Sequence, residues 1–213
     1  MSKRTIIRLS KYKNALYRLK KMGFVKVFSD NLADAVGVTP AQVRKDFSMF
    51  GISGNKRGGY TVAELVEKLN KILGKDKVQD VIVVGTGHIG TAMMNYRGFE
   101  KENIRIVAGF DIDPAKYNAD EKIPVLQLDK MRGYVKEHGI RVGIIAVPDI
   151  AAQQVLEIMV SAGIKGILNF APINLKGEED TVINNVNLGL ELENIIYFIN
   201  TDKKGVINED TDA

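Results

Sequence analysis

Apolar residues near the start of the chain recur every three or four positions, with lysines and arginines between them. They are Ile6, Leu9, Tyr12, Leu16 and Leu19. This spacing predicts an amphipathic helix, and Gly23 is placed to end it. Its polar face is basic.

Two shorter helices are predicted next, from residues that typically begin and end helices. Ser29 is a favourable N-cap for the first, which ends at Gly37, where a left-handed residue is favoured. Thr39 is the N-cap of the second, Pro40 takes its first position, and the helix runs over residues 41–50. The pattern is therefore helix, short turn, helix.

The second of these helices has two different faces. Val43, Phe47 and Phe50 lie at i, i+4 and i+7 and are expected to point inward. The opposite side carries small, amide, hydroxyl and cationic groups, which a recognition helix presents to base edges and phosphates in a major groove. These outward residues are Ala41, Gln42, Arg44, Lys45 and Ser48.

A glycine-rich hairpin is predicted over residues 54–60, which read Gly-Asn-Lys-Arg-Gly-Gly-Tyr. Lys56 and Arg57 at its tip are placed to contact phosphate or the minor groove, as the wing of a winged helix does. Thr61 and Glu64 then fit a capping box, which opens a helix that ends at Gly74.

From residue 78 onward the pattern changes to short apolar runs separated by helical stretches. Residues 78–84 are typical of a buried strand, and Gly-Thr-Gly-His-Ile-Gly follows at 85–90, before a helix. Residues 104–110 indicate a second strand, with Asp111 at its end. This order of strand, G-x-G-x-x-G, helix, strand and acid is the fingerprint of a Rossmann unit that binds a dinucleotide.

Each part of this fingerprint has a physical role. Gly85 permits the tight turn, Gly87 lets the backbone approach a pyrophosphate, and Gly90 allows close packing of the helix. Asp111 is expected to accept hydrogen bonds from the adenosine ribose hydroxyls and to repel a 2′-phosphate, which favours NAD(H) over NADP(H). Asp113 is the alternative acid, although it already lies in the following turn.

Further alternation of apolar runs and helical stretches predicts βαβ units and a parallel sheet. The predicted elements are a helix over 128–138, a strand over 142–147, a helix over 150–162, and strands over 164–170 and 182–186. Apolar residues then fall at helical spacing at Leu188, Leu192, Ile195, Ile196 and Ile199. Residues after about 201 are expected to fray.

Charge is divided unequally along the chain. Residues 1–77 carry 17 Lys and Arg against 6 Asp and Glu, a net charge of +11, whereas the remainder carries 13 against 20, a net charge of −7. A basic segment joined to an acidic one suggests a module that binds a polyanion, attached to a unit with another task. We therefore expect two domains, 1–77 and 78–213.

Composition excludes several classes of site and protein. The chain has no cysteine, so disulfides, thiolate metal sites and thiol redox switches are excluded. The first residues become polar too early for a signal peptide, and no apolar run approaches the roughly 20 residues that span a bilayer. We expect a cytoplasmic protein with no membrane partner and no metal site.

With both segments in view, the chain resembles the Rex family of bacterial redox-sensing repressors along nearly its whole length. The resemblance lies in residues 8–12, 41–48 with Phe50 and Gly51, 56–60, 85–90, 95–99, 110–114 and 169–172. It implies an α/β chain with an N-terminal winged helix-turn-helix domain and a Rossmann-like parallel α/β domain. It also implies a C-terminal helix, roughly residues 187–199, that swaps into a partner subunit.

The resemblance further implies a repressor that reads a palindromic DNA operator as a homodimer and is released when NADH binds. Motifs and resemblance together give the expected site residues. For NAD(H) they are Gly85, Thr86, Gly87, His88, Ile89, Gly90, Tyr96 near the nicotinamide, Asp111, Val147, Pro148, Asn169, Phe170 and Pro172. For double-stranded DNA they are Arg8, Ser10, Tyr12, Ala41, Gln42, Arg44, Lys45, Ser48, Lys56, Arg57 and Gly58. Asn14 and Asn187 depart from some relatives, which have an arginine and an aspartate there, so the redox linkage of this chain stays open.

Two alternatives remain. An NAD-dependent oxidoreductase needs a positioned acid or base and usually a substrate domain, whereas little sequence remains here beyond a Rossmann unit, and His88 and His138 suit structural positions. We therefore expect no catalytic residue. A repressor that binds coenzyme A is the other alternative, since similar sheets bind that ligand. Asp111 favours a free ribose hydroxyl over a phosphorylated one.

Overall fold

The computed structural model describes residues 2–55, 57–177 and 180–205. The chain divides into two compact units, Met1–Val78 and Gln79–Ala213. Across the described ranges, no helix combines the length and the apolar character needed to cross a bilayer.

The described part of the first unit contains four helices and two short strands. They are α1 (Lys3–Lys21), β1 (Lys26–Val27), α2 (Ser29–Val36), α3 (Pro40–Ser48), β2 (Tyr60–Thr61) and α4 (Val62–Ile72). The two strands pair antiparallel, with Lys26 opposite Thr61. Leu9, Leu16, Phe47 and Leu69 are fully buried between the helices, so most of the predicted apolar positions form the core. Ile6, predicted on the same stripe as Leu9, is 37% exposed instead.

Most helix ends of this unit are where the sequence predicts them. Gly37 and Gly74 have left-handed φ angles of +73° and +66°. The Gln42 backbone N–H donates to Thr39 Oγ1 at 3.2 Å, with Pro40 in the first turn. The predicted helix-turn-helix is confirmed.

One predicted N-cap is wrong, and a second lacks the predicted capping hydrogen bond. Ser29 lies inside α2, because Phe28 is the N-cap and its backbone N–H donates to Asn31 Oδ1 at 2.9 Å. Thr61 is the N-cap of α4, as predicted, but its side chain makes no capping hydrogen bond, so the predicted capping box is absent. Its backbone is held instead by pairing with β1, so the strand fixes where the helix starts.

The described part of the second unit is a six-stranded parallel sheet with helices. Its strands are β3 (Gln79–Val84), β4 (Ile104–Asp111), β5 (Val125–Gln127), β6 (Val142–Ile145), β7 (Gly166–Asn169) and β8 (Val182–Asn185), in the order β5-β4-β3-β6-β7-β8. The helices are α5 (His88–Met94), α6 (Met131–His138), α7 (Asp149–Ala162) and α8 (Leu188–Gly205). The order reverses between β3 and β6, which is where Rossmann folds bind ligands.

Alternate residues of β3 face opposite sides of this sheet, as the two-residue period of a strand requires. Ile82 and Val84 pack with residues of α6 and α7. Val81 and Val83 pack in a separate cluster that includes Met93 of α5. Both faces of the central strand are therefore covered, which explains its continuous apolar run.

No described residue of the chain covers helix α8 in this way. Its apolar side chains from Leu188 to Ile199 are all more than half exposed to solvent. An amphipathic helix at the surface ordinarily buries its apolar face. This face is therefore available to another molecule.

Candidate nucleotide-binding and nucleic-acid sites

The glycine loop after β3 makes a turn that needs glycine at two positions. Gly85 has a φ of +88°, and a Cβ there would lie 2.5 Å from the Ala146 carbonyl oxygen. A Cβ at Gly90 would lie 1.8 Å from the Gly85 carbonyl oxygen. The loop therefore folds tightly between the end of β3 and the start of α5.

Gly87 differs from both, because nothing in the described part of the chain requires a glycine there. It is the N-cap of α5, with a φ of −69°, which any residue can adopt. A Cβ at this position would meet no atom within 4 Å. The open space lies where the phosphates of a dinucleotide approach backbone N–H groups at a helix start, and an added side chain would fill it.

The other loop residues differ in exposure. His88 and Ile89 are exposed in the first turn of α5, whereas Thr86 is buried. Thr86 donates from its backbone N–H and its hydroxyl to Asp111 Oδ2, at 2.7 and 2.9 Å. Thr91 Oγ1 in turn donates to the Thr86 carbonyl oxygen at 3.0 Å. Hydrogen bonds from both sides thus hold the loop in place.

Asp111 lies at the end of β4, as predicted, but its carboxylate already has partners within the chain. Besides Thr86, the Asp113 backbone N–H donates to Oδ1 at 3.0 Å and Lys116 Nζ donates to Oδ2 at 3.0 Å. Burial alone would raise the pKa of Asp111, but the hydrogen bonds from Thr86, Asp113 and Lys116 outweigh it and lower the pKa to about 2. This acid therefore braces the glycine loop.

The lowered pKa predicts how the stability of this unit depends on pH. The folded pKa of about 2 lies below the ordinary value of 3.8, so the stabilisation is complete above about pH 5, where the unfolded carboxyl is ionised too, and is lost as the pH falls through 2. Its size is about 2 kcal/mol. Urea unfolding of wild type and Asp111→Asn between pH 5 and pH 2 should show a difference in unfolding free energy that shrinks towards low pH. Asp120→Asn, at an exposed position, is the control, and a pH-independent difference would contradict the assignment.

Tyr96 follows α5 in an exposed turn. Its ring makes an edge contact with Phe99, with 5.0 Å between ring centroids. A Cβ at Gly98 would lie 2.4 Å from the ring, so Gly98 lets the ring settle against the backbone. The ring is 57% exposed, and its free surface can contact a ligand.

The strand-end residues of β6 and β7 do not all line an open surface. Val147 reaches the glycine loop, since a Cβ at Gly85 would lie 2.7 Å from its side chain. Pro148 and Pro172 are exposed, and Phe170 is half-buried.

Asn169 was predicted to line the cleft, but its side chain is fully buried in this structure. Its amide nitrogen donates to the Ile173 carbonyl oxygen at 2.8 Å and to Asn185 Oδ1 at 2.9 Å, and its oxygen accepts from the Ala171 backbone N–H at 2.9 Å. It stabilises the loop after β7.

A cleft of about 520 Å³ lies next to Asp111, and its residues were not predicted as a site. It is lined by Ile112, Tyr117, Gln127, Leu128, Asp129, Arg132 and Ile158. Ile112 is 77% exposed, an unusual position for a large apolar side chain directly after a buried strand. The sequence offered one signal of this cleft, the apolar residue directly after Asp111. The rest of the lining comes from three separate segments of the chain, which no local pattern connects.

In the first unit, α3 presents the face predicted for DNA. Val43 and Phe47 are buried, and Ala41, Arg44, Lys45 and Ser48 are exposed, with Gln42 half-buried. The exposed residues form a small, cationic surface without an acid, since Asp46 points inward with no exposed surface. Such a surface can enter a major groove.

Asp46 connects α3 to α1 through a buried hydrogen-bond network. It accepts from Arg8 Nε and an Arg8 terminal nitrogen at 2.6 and 2.7 Å, from the Tyr12 hydroxyl at 2.9 Å, and from Gln42 Nε2 at 2.7 Å. Burial would raise the pKa of Asp46, but the bonds from Arg8, Tyr12 and Gln42 hold it below its ordinary value.

This network changes the interpretation of three predicted DNA contacts. Tyr12 is fully buried, so the prediction that it contacts DNA is wrong in this conformation; it fixes the helices instead. The side chain of Arg8 is 23% exposed and held in a fixed orientation by its bidentate pair with Asp46. Gln42 is bound to the same carboxylate, while Ser10 is half-buried on α1.

The predicted hairpin is present between Gly54 and Tyr60. Asn55 and Gly59 exchange backbone hydrogen bonds of 3.0 and 2.8 Å, and Asn55 Oδ1 accepts from the Arg57 backbone N–H at 2.9 Å. Arg57 is exposed and Gly58 is half-buried. Lys56, predicted to contact DNA, lies outside the described residues.

Comparison with known proteins adds two family models. One described as "CoA binding domain" matches residues 76–173, and one described as "Putative DNA-binding protein N-terminus" matches residues 1–48. A curated relative from Desulforamulus reducens, named redox-sensing transcriptional repressor Rex, is 44% identical over 196 residues, covering 91% of this chain and 92% of the relative.

Solved structures are similar over both units. The structure of RSP in complex with beta-NAD+ and operator DNA has a TM-score of 0.90 and 33% identity, covering 100% of this chain and 99% of RSP. RSP in complex with beta-NADH has a TM-score of 0.83 and 35% identity, covering 95% of this chain and 96% of RSP. These likenesses confirm the predicted fold class of a DNA-binding unit followed by a Rossmann-like unit.

Proposed function

The chain belongs to the Rex family of redox-sensing transcriptional repressors, and from this premise we propose that it binds a palindromic operator as a homodimer and leaves it when NADH binds. The observation that carries the proposal is the open space at Gly87. No contact among the described residues requires a glycine at this position, and its lack of a side chain leaves room for a phosphate group in the loop. The same chain carries an outward basic helix. The family consists of transcriptional repressors, so we assign no enzymatic activity.

We propose that the first unit binds DNA through α3 and the hairpin. Ala41, Gln42, Arg44, Lys45 and Ser48 would face the major groove. Arg57 and Gly58, together with Lys56, would contact the backbone or the minor groove. Arg8 and Ser10 would contribute from α1. The net charge of +11 on residues 1–77 supports this assignment, since cations that neutralise phosphates supply most non-specific affinity.

We propose that the second unit binds NAD(H) across the carboxyl ends of β3, β4 and β6. The backbone of residues 85–90 would hold the pyrophosphate, Asp111 would meet the adenosine ribose, and Ile112 with its cleft would receive the adenine. Tyr96 would lie beside the nicotinamide, with Val147, Pro148, Phe170 and Pro172 around it. The bound ligand supplies a differential affinity for two arrangements of the dimer, without which it could not shift DNA binding.

We also propose that α8 completes the homodimer by packing its apolar face against a second copy of the chain. The exposed residues from Leu188 to Ile199 suit an obligate interface, which resembles a protein core in its apolar character. A protein that regulates transcription and has no membrane-spanning helix in its described residues is expected in the cytoplasm.

The experiment that tests this function is fluorescence anisotropy on a labelled palindromic operator selected from random DNA. At fixed salt, NADH should lower operator affinity by roughly fivefold to a hundredfold, the usual range of allosteric coupling. NAD⁺ should not. Coenzyme A, suggested by the model that matches residues 76–173, is the third titrant. If coenzyme A alone released the operator, coenzyme A and not NADH would be the ligand. If none of the three compounds changed operator affinity, the proposed sensing would be disproved.

A further inference from the structure

The carboxylate of Asp111 has little capacity left for a ligand. A carboxylate offers about four acceptor positions. Oδ2 accepts from the Thr86 backbone N–H, the Thr86 hydroxyl and Lys116 Nζ, and Oδ1 accepts from the Asp113 backbone N–H. A ribose hydroxyl can therefore reach Asp111 only at Oδ1, beside a charge that Lys116 already balances.

Lys116 lies where the sequence fingerprint places no cation. It follows the acid by five residues, in a short 3-10 helix over Pro114–Lys116. Asp113 fixes this turn, because its side chain accepts from the Ala115 backbone N–H at 3.0 Å. The Lys116 side chain is 38% exposed, whereas that of Asp111 is 7% exposed. The ammonium group is thus the solvent-facing half of the pair.

We propose that Lys116 is a specificity-determining residue, whose ammonium group limits how strongly the ribose site rejects a 2′-phosphate. In a Rossmann site with a lone acid, the carboxylate repels that phosphate, and a nearby cation accommodates it. Here both charges are 3.0 Å apart at the same site. This inference rests on the proposed function, since it assumes that the second unit binds NAD(H).

Other charged groups near the site do not replace Lys116. Asp113 is exposed in the same turn, and Asp129 and Arg132 line the neighbouring cleft as a further acid and cation. Among the residues that the structure describes, Lys116 is the cation bonded to Asp111. Removing its charge takes away the cation that is bonded to Asp111 and leaves Asp111 and Asp113 as two acids beside the ribose, and their repulsion acts on a phosphorylated ribose much more than on a free one.

The test measures the dissociation constants of NADH and NADPH for the full-length protein, by fluorescence of the reduced nicotinamide. Lys116→Gln should raise the ratio of the NADPH dissociation constant to the NADH dissociation constant at least about tenfold, mostly because NADPH binds more weakly. Lys116→Arg, which keeps the charge, should restore the wild-type ratio. Lys122→Gln is the control, since Lys122 is exposed and lies 4.0 Å from Glu100.

The possible results distinguish a failure of this inference from a failure of the proposed function. If wild type binds NADH but Lys116→Gln leaves the ratio unchanged, the inference is wrong and the proposed function stands. If Lys116→Gln weakens both nucleotides equally, Lys116 only supports the fold of Asp111 and sets no specificity. If wild type binds neither nucleotide, the proposed function fails, and the inference fails with it.

Discussion

Replacing Gly87 with alanine should leave both units folded and lower NADH affinity by about tenfold to a hundredfold. The added methyl group meets no atom of the described residues within 4 Å, so the substitution should not destabilise the fold. It enters the space where the pyrophosphate would approach the backbone, and overpacking of that kind costs about 1–3 kcal/mol. Titration of NADH, with circular dichroism to check the fold, measures both parts. Operator binding by this variant should also survive NADH concentrations that release wild type.

Two matched variants make this result specific. Gly133→Ala also places a methyl group in open space, but within α6, and it should keep full NADH affinity while slightly stabilising the helix. Gly90→Ala forces a Cβ to 1.8 Å from the Gly85 carbonyl oxygen, and it should damage the loop itself. Wild-type NADH affinity in Gly87→Ala would show that the loop does not hold the pyrophosphate.

Patterns of apolar spacing and end signals were sufficient to predict most of the fold. Helices α1 to α4 and strands β3 and β4 carry a complete period within one segment. Gly37 and Gly85 mark conformations with positive φ that few residues other than glycine adopt. β5 was missed because three residues are too few to show a period, and its place in the sheet is set by pairing with β4.

The site was less predictable, because several side chains find partners far along the sequence. Helical spacing places Asp46 near the inward stripe of its helix, but Asp46 and Arg8 are 38 residues apart, and no local pattern shows that this acid binds an arginine of α1. Asp111 was correctly placed at a strand end, but its bonds to Thr86 and Lys116 follow from the tertiary fold. Asn169 was expected to line the cleft, but its side chain forms hydrogen bonds with the loop that follows it.

The double substitution Ile195→Asp and Ile199→Asp on α8 should dissociate the dimer and greatly weaken operator binding. Both side chains are more than half exposed in the single chain and lie four residues apart on one helix face. Burying a carboxylate in an apolar interface carries a large penalty. A monomer reads one half-site, so it loses the effective concentration of the second recognition helix, worth roughly 10²–10⁴ in affinity.

Sedimentation equilibrium and operator anisotropy together separate this effect from misfolding. The pair Asn194→Asp and Asn200→Asp adds the same charge to the same helix at polar positions, and should remain a dimer with nearly wild-type operator affinity. NADH binding by the Ile195 and Ile199 double variant would show that its Rossmann unit is folded. A double variant that stayed dimeric would place the subunit interface elsewhere. A monomer with undiminished operator affinity would mean that one α3 helix suffices, and that the proposed release cannot work by moving two recognition helices apart.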